Sequence, residues 1–507
     1  MPRRVAYFLL ASILCVARAQ AASGAADERV RQAALQVYIH GMTDEIARNE
    51  VGVEGVPALL RLLDDPSFPR RDNVVAFLAY LGSAESTPRL LDLLGRPAAS
   101  ATPEEVRSRL LVPHALGHIA GRGDAAALRA LLRMTADRAE GGPLAGLAMK
   151  DELLDTAVAS LALAGPGPAR ERLEAIAQGR VVPDPEQRRL ESKAREAMAS
   201  SADSLRRLSS ASAAAAMDYI VDPATHTTAH GLTFANHVSV TNPMTETRLD
   251  AVLADATFRA AKGDFSTDVA CCTIVSRVAA AQTFGTATDG LASIDTAQEV
   301  NTVLAVSVAR VKVVNVINYC GGAGTNIIGC SYQPGWGMAL VRLSDVGYEA
   351  VLWIHEYGHN LGLPHVTPPA SIMAPNDNGQ NDGLSPTECA TFHSPASDAV
   401  ALLGDGGTCT NDGDSYADPI DNCPFVANES QADSNHNGIG DACEAGTTAD
   451  IDGNGRVDGL DLARLGRAFG SSTGEAKYDA AADLDHNGQV DGADLAILTS
   501  QFGNASS

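Results

Sequence analysis

Three histidines and a glutamate at fixed offsets raise the question of chemistry. Residues 351–375 read VLWIHEYGHNLGLPHVTPPASIMAP. His355 and His359 are four residues apart, so on a helix both imidazoles leave one face a turn apart and can share an ion. His365 cannot join them if the helix continues. Gly362, with no Cβ, supplies a left-handed exit, and Pro364 discourages a restart. The chain then turns and His365 approaches the same ion from below. Three neutral nitrogens plus water make a tetrahedral site with one open position, as catalytic zinc requires. Glu356 lies beside that position without needing to coordinate. It can take a proton from water and pass it to a leaving amine, the chemistry of metal-assisted amide hydrolysis.

His355-Glu356-x-x-His359-x-x-Gly362-x-x-His365 resembles the long zinc signature of the metzincin metallopeptidases. Ser371-Ile372-Met373-Ala374-Pro375 is similar to the methionine turn of that family, which implies that Met373 forms an apolar floor under the ligands. The resemblance covers about 217–404. It implies a twisted sheet, an active-site helix and an edge strand that aligns a protein or peptide substrate, and GMALVRL (337–343) fits that strand. Family members with a Tyr ligand carry it just after the Met; Ala374 and Pro375 stand there, so none is expected. Residues 22–216 hold no Cys, which excludes a cysteine that caps the zinc. Latency would need an Asp or another device.

The elements that must position this site come next. Residues 310–319, RVKVVNVINY, and 272–280 read as strands, and 247–262 as an amphipathic helix; their alternation predicts an α/β layer over 217–404. Residues 22–199 are rich in Ala, Leu and Arg, with short apolar helical segments separated by Pro, Gly and Asp. They resemble HEAT-like repeats, an all-α region that serves as prosegment, inhibitor clamp or substrate-docking solenoid. His114 and His118 are one turn apart there, but with no third ligand a structural role is preferred. Residues 200–216, rich in Ser and Ala, read as a linker.

The N-terminus places Arg3 and Arg4 before an apolar run from Val5 to Ala17 and small residues at Ala17, Ala19 and Ala21. That is the order of a secretory signal over 1–21, and the expectation is a secreted, extracellular protein with no membrane span after cleavage. Cysteine usage agrees: Cys15 leaves with the signal, and the other eight of nine lie beyond position 270. Cys320–Cys330 and Cys423–Cys443 pair by proximity. The partners of Cys271, Cys272, Cys389 and Cys409 stay open.

Net charge is −24, which argues against a nucleic-acid partner. From Asp405 onward, 19 acidic and 4 basic residues contribute −15 of it. The acids recur at regular offsets with Gly and Asn, as hard-cation sites need. Asp418, Asp421, Asp433, Asn435, Asn437 and Asp441 with Cys423 and Cys443 are similar to a thrombospondin type 3 repeat, over 405–446. Asp450-x-Asp452-x-Asn454-Gly455-x-x-Asp458-x-x-Asp461 is repeated 33 residues on as Asp483-x-Asp485-x-Asn487-Gly488-x-x-Asp491-x-x-Asp494. Each loop has oxygen bearers at positions 1, 3, 5, 9 and 12 with Gly at 6, as in an EF-hand. The pair looks like a dockerin type I module over 448–503, which implies several structural Ca²⁺ ions and a cohesin-like or cell-surface partner.

The sequence therefore predicts a multidomain chain: helical repeats, an α/β metzincin-type zinc peptidase, and calcium-binding loops ending in an EF-hand-like dockerin. The rival of another class is a calcium-dependent adhesion or scaffold protein with an inactive peptidase domain. Glu356 favours the enzyme, because a binding protein has no use for a general base.

Overall fold

Apolar residues at helical spacing in the first 200 positions fold into short helices, each bounded by a side-chain cap or a turn residue. Thr43 caps Asp44–Glu50, Thr102 caps Pro103–Leu110 and Asp124 caps Ala125–Met134, each accepting a backbone N–H three residues on. The computed structural model describes residues 26–96, 102–136, 144, 149–184, 189–200, 226–261, 271–366, 371–377, 383–393 and 402–408. Toward the C-terminus it describes 422–423, 428–432, 440, 442, 449, 451, 457, 459–473, 475, 477–484 and 488–502. The expected signal segment 1–21 and the linker from 201 onward lie outside the described residues.

The chain divides into two compact units, Met1–Gly407 and Thr408–Ser507. Both helices and sheets build the first unit, and no closed barrel occurs among the described residues. Helices Arg71–Leu81 and Val112–Gly121 lie at the centre of the helical layer, almost wholly buried, with the other helices packed round them. A buried cluster including Phe77, Leu78, Leu116 and Leu131 forms its core.

The main sheet has five strands in the order 329–331, 338–341, 311–314, 234–237, 282–284. Its four inner and far strands run parallel, and Gly329–Ser331 is antiparallel to Met338–Val341. This corrects the expectation for GMALVRL: that strand is interior, and Gly329–Ser331 occupies the outer place beside the histidine helix. RVKVVNVINY is also divided. Val311–Val314 belongs to this sheet, while Val316–Tyr319 pairs with Ser293–Ile294 and Ala323–Ile327 in another. Asn315 makes the break, its side chain bonded to Thr241 N and Ser239 O. Behind the sheet lie helix Glu246–Ala261 and the buried helix Val346–Leu361.

The helical layer and the sheet share one interior. Val316 belongs to the helical core, and Val37 and Ile39 belong to the sheet core. Buried polar ties cross between them. Asp72 accepts from Arg70, Arg107 and Asn326, and Arg107 also donates to Arg342 O. Against its burial, the Arg70 and Arg107 guanidiniums hold the Asp72 carboxyl well below the usual range. Glu104 accepts from Ser344 N (2.8 Å) and Oγ (2.5 Å), and Lys193 donates to Asp295 (2.6 Å) and pairs with Glu299.

Cys320–Cys330 is bridged as its spacing indicates, and Cys271 pairs with Cys389. Cys272 and Cys423 are also disulfide-bonded; Cys409 and Cys443 lie outside the described residues. No helix among the described residues is long and apolar enough to cross a membrane.

Candidate metal centre

Asp345 caps the helix Val346–Leu361, which carries Val351, Leu352, Trp353 and Ile354 into the sheet core. His355, Glu356 and His359 follow on its buried length. Gly362 ends it with φ +108°, and Leu363 N closes back on Gly358 O. The chain turns there and His365 meets the other two rings.

The Nε2 atoms of His355 and His359 are 3.1 Å apart, as are those of His359 and His365. Four nitrogens at the usual zinc distance around a tetrahedron stand about 3.3 Å apart. The tautomers decide what this crowding means. His355 Nδ1 faces Ile372 O and His359 Nδ1 faces Leu363 O, both at 2.7 Å. A carbonyl only accepts, so each Nδ1 carries the proton and each Nε2 presents a lone pair. Two lone pairs at 3.1 Å repel unless a cation lies between them. Burial lowers the pKa of all three rings, helped by the neighbouring imidazoles at His355 and His359, with His359 brought to about 4, so they are neutral at pH 7. The donor set therefore fits zinc.

Met373 is fully buried beneath this helix, packed so close to Gly358 that a Cβ there would meet its Sδ at 2.4 Å. Tyr357 and Asn360 anchor the helix from behind, through His230 Nδ1 (2.8 Å) and through Tyr332 O and Gly337 O. Ala374 and Pro375 follow the Met, so no Tyr stands there.

Glu356 lies fully buried over Gly329, where a Cβ would meet its Oε1 at 2.3 Å. Ser331 Oγ donates to Oε2 at 2.5 Å; Oε1 is buried and has no hydrogen-bond partner. Burial pushes the Glu356 carboxyl up to about 8, opposed by the Ser331 hydroxyl. Gly329 and Ser331 were not singled out from the sequence. Their signal, a small residue and a hydroxyl on an outer strand, is legible only once strand order is known.

The larger omission is His40. Its Nε2 lies 3.1 Å from His355 Nε2 and 3.8 Å from Glu356 Oε1. Potential ligand atoms of His40, His355, His359 and His365 all fall within 4.8 Å of one another. The only local signal was VYIHG (37–41), a β-branched interruption of an Ala-rich helical pattern. A second group, Cys271, Cys389 and His393, is no thiolate site because the two cysteines are bridged. His114 and His118 pack ring to ring at 5.0 Å and gather no third ligand among the described residues.

In the second unit, helices Gly459–Ala468 and Gly492–Gln501 each follow an acidic loop. Of the expected ligands, Asp461, Asp483 and Asp494 are buried, and Asp491 caps its helix in a reciprocal box with Asp494. Asp494 also accepts from Leu484 N, and Asp483 Oδ2 accepts from Gly488 N at the sharp turn, where Gly488 has φ +85°. Asp483 Oδ1 is buried without a hydrogen-bond partner, as a cation ligand would be. Asp450, Asp452, Asn454, Asp458, Asp485 and Asn487 lie outside the described residues. So do Asp418, Asp421, Asp433, Asn435, Asn437 and Asp441.

Comparison with known families agrees with this end of the chain. The dockerin type I domain matches residues 448–503, and the thrombospondin type 3 repeat matches 404–431 and 432–462. Both imply calcium binding and are typical of extracellular proteins. No curated protein matches the chain.

Proposed function

We propose that this protein is a secreted zinc endopeptidase of the metzincin type, with calcium modules that anchor it to a cohesin-like or cell-surface partner. The observation that carries this reading is the meeting of three Nε2 atoms, two of them presenting lone pairs, with a buried carboxylate whose Oε1 has no hydrogen-bond partner. His355, His359 and His365 would hold the ion. Bound zinc would acidify water and polarise the scissile carbonyl.

The chain's own residues supply the rest. Ile372 O and Leu363 O fix two ligand rings, and Met373 supports them from below. Ser331 holds Glu356 Oε2, which leaves Oε1 to accept a proton from the attacking water and deliver it to the leaving amine. A neighbouring cation favours the ionised carboxylate that this role needs. The outer strand Gly329–Ser331 supplies an edge along which an extended substrate can pair.

The test measures zinc per chain and hydrolysis of a denatured protein, with the chain intact and after limited tryptic nicking. One zinc per chain, cleavage abolished by o-phenanthroline, and a Glu356→Ala variant that keeps zinc but loses activity about 10²- to 10⁴-fold are expected. Zinc-loaded protein that cuts in neither form would sink the peptidase, and the calcium modules would then carry the function as an adhesion or scaffold protein.

A further inference from the structure

Residues 37–42 cross the site as a short strand, Val37–Tyr38, followed by a turn that Gly41 N closes on Tyr38 O at 3.0 Å, with Gly41 at φ +80°. On one side Val37–Tyr38 pairs antiparallel with Asn376–Asp377, just past the methionine turn, and Ile39 N donates to Pro375 O at 3.2 Å. On the other, Ile328 N (2.9 Å) and Gly329 N (3.3 Å) both donate to Ile39 O, and Met42 exchanges hydrogen bonds with Thr325. The segment is thus hydrogen-bonded on both edges, between the outer strand and the wall opposite. Val37 and Ile39 bury their side chains in the sheet core.

The His40 ring points at the metal ligands. Its Nε2 is 3.1 Å from His355 Nε2, and its ring centroid is 4.5 Å from that of His365. Its Nε2 therefore faces the same centre as the other three.

We propose that His40 is the fourth ligand of the ion and that residues 37–42 hold the enzyme latent, one segment closing both the open coordination position and the substrate edge. This rests on the zinc-peptidase reading. The helical layer is then an inhibitory segment, clamped by Asp72, Glu104, Lys193 and their partners across the shared interior. A permanently closed structural zinc site is the competing account of four histidines. It leaves Glu356 unexplained: a fully buried carboxylate whose Oε1 accepts no hydrogen bond, 3.8 Å from His40 Nε2, has no structural task in a closed site.

The experiment uses the full chain loaded with Co(II), whose visible spectrum reports its ligands, and adds azide as a small competing anion. Wild-type protein is expected to bind one Co(II) with a spectrum indifferent to azide. His40→Ala and His40→Gln should keep one Co(II), shift the spectrum and bind azide at least about tenfold more tightly, since a tethered ligand no longer competes. Circular dichroism of both variants must match the wild type; a variant that unfolds is set aside, and the other decides. Equal azide affinity in wild type and folded variants overturns the latch and leaves the zinc reading standing. Failure of the wild type to bind Co(II) at one per chain overturns both.

Discussion

The histidine cluster and the acidic loops are held in place by different means. His355, Glu356 and His359 lie on a helix whose other faces are buried against a sheet, and carbonyls from two further segments orient the rings. Packing positions those ligands before any ion arrives. The C-terminal loops have far less behind them. Among the described residues their core is nine apolar side chains, from Ala449 to Leu498, while the carboxylates of Asp461, Asp483 and Asp494 are buried. Burying a carboxylate without a cation is unfavourable, so an ion bound there would complete the fold. On the proposed reading, a site that does chemistry has its ligands fixed in advance, whereas a module that must only be rigid can leave the last step to the metal.

Chelation is the largest test of that difference. Each ion held at about a hundred times its Kd stabilises its module by about 2.7 kcal/mol. Two loops emptied by EGTA should cost the second unit about 5 kcal/mol, enough to unfold a module with so small a core. Scanning calorimetry should then lose one transition while the first unit melts unchanged. Retention of both transitions would mean that the acidic loops are self-supporting and that the contrast is false.

How much of this was legible beforehand follows the same division. His355, Glu356, His359 and Gly362 are local, set by one helix and its end, and spacing alone assembles them. The EF-hand-type loops are local too. His40 is 315 residues from His355 and meets it only through a strand pairing that no periodicity announces. Gly329 and Ser331 depend on strand order, and the Cys271–Cys389 bridge spans 118 residues. Local chemistry reads directly; what closes or tunes it arrives through topology.

A smaller test sharpens the packing side. Met373 is fully buried, with its sulfur against Gly358. Met373→Ala should cost about 2–5 kcal/mol through the cavity it leaves, in line with other buried truncations. Denaturant melts of the first unit would report it with and without zinc. If apo and loaded protein lose the same amount, the floor is a packing element that stands before the ion binds. A loss seen only with zinc present would place Met373 in the metal's own energetics and weaken the claim of a preassembled site.

The smallest expected effect is a response to acid. His114 lies buried in the helical layer and contacts the Gly324 backbone across the shared interior; its burial lowers its pKa to about 4. An unfolded histidine titrates near 6.5, so below that pH the unfolded chain binds the proton first and stability falls until about pH 4. Stability contributed by the neutral ring is therefore whole above pH 6.5 and declines as the medium acidifies, by about 2 kcal/mol between pH 7.5 and 5. His118 beside it and His230 in the sheet shift the same way, His230 to about 3, and add to the slope. Urea melts of wild type and His114→Gln at the two pH values isolate one ring's share. The variant should lose less stability on acidification than the wild type; equal losses would mean that His114 is not held neutral by the fold. A positive result would make the helical layer easier to loosen in acid at the face that presents His40 to the site, because His114 reaches the strand Ala323–Ile327 on which Met42 is paired.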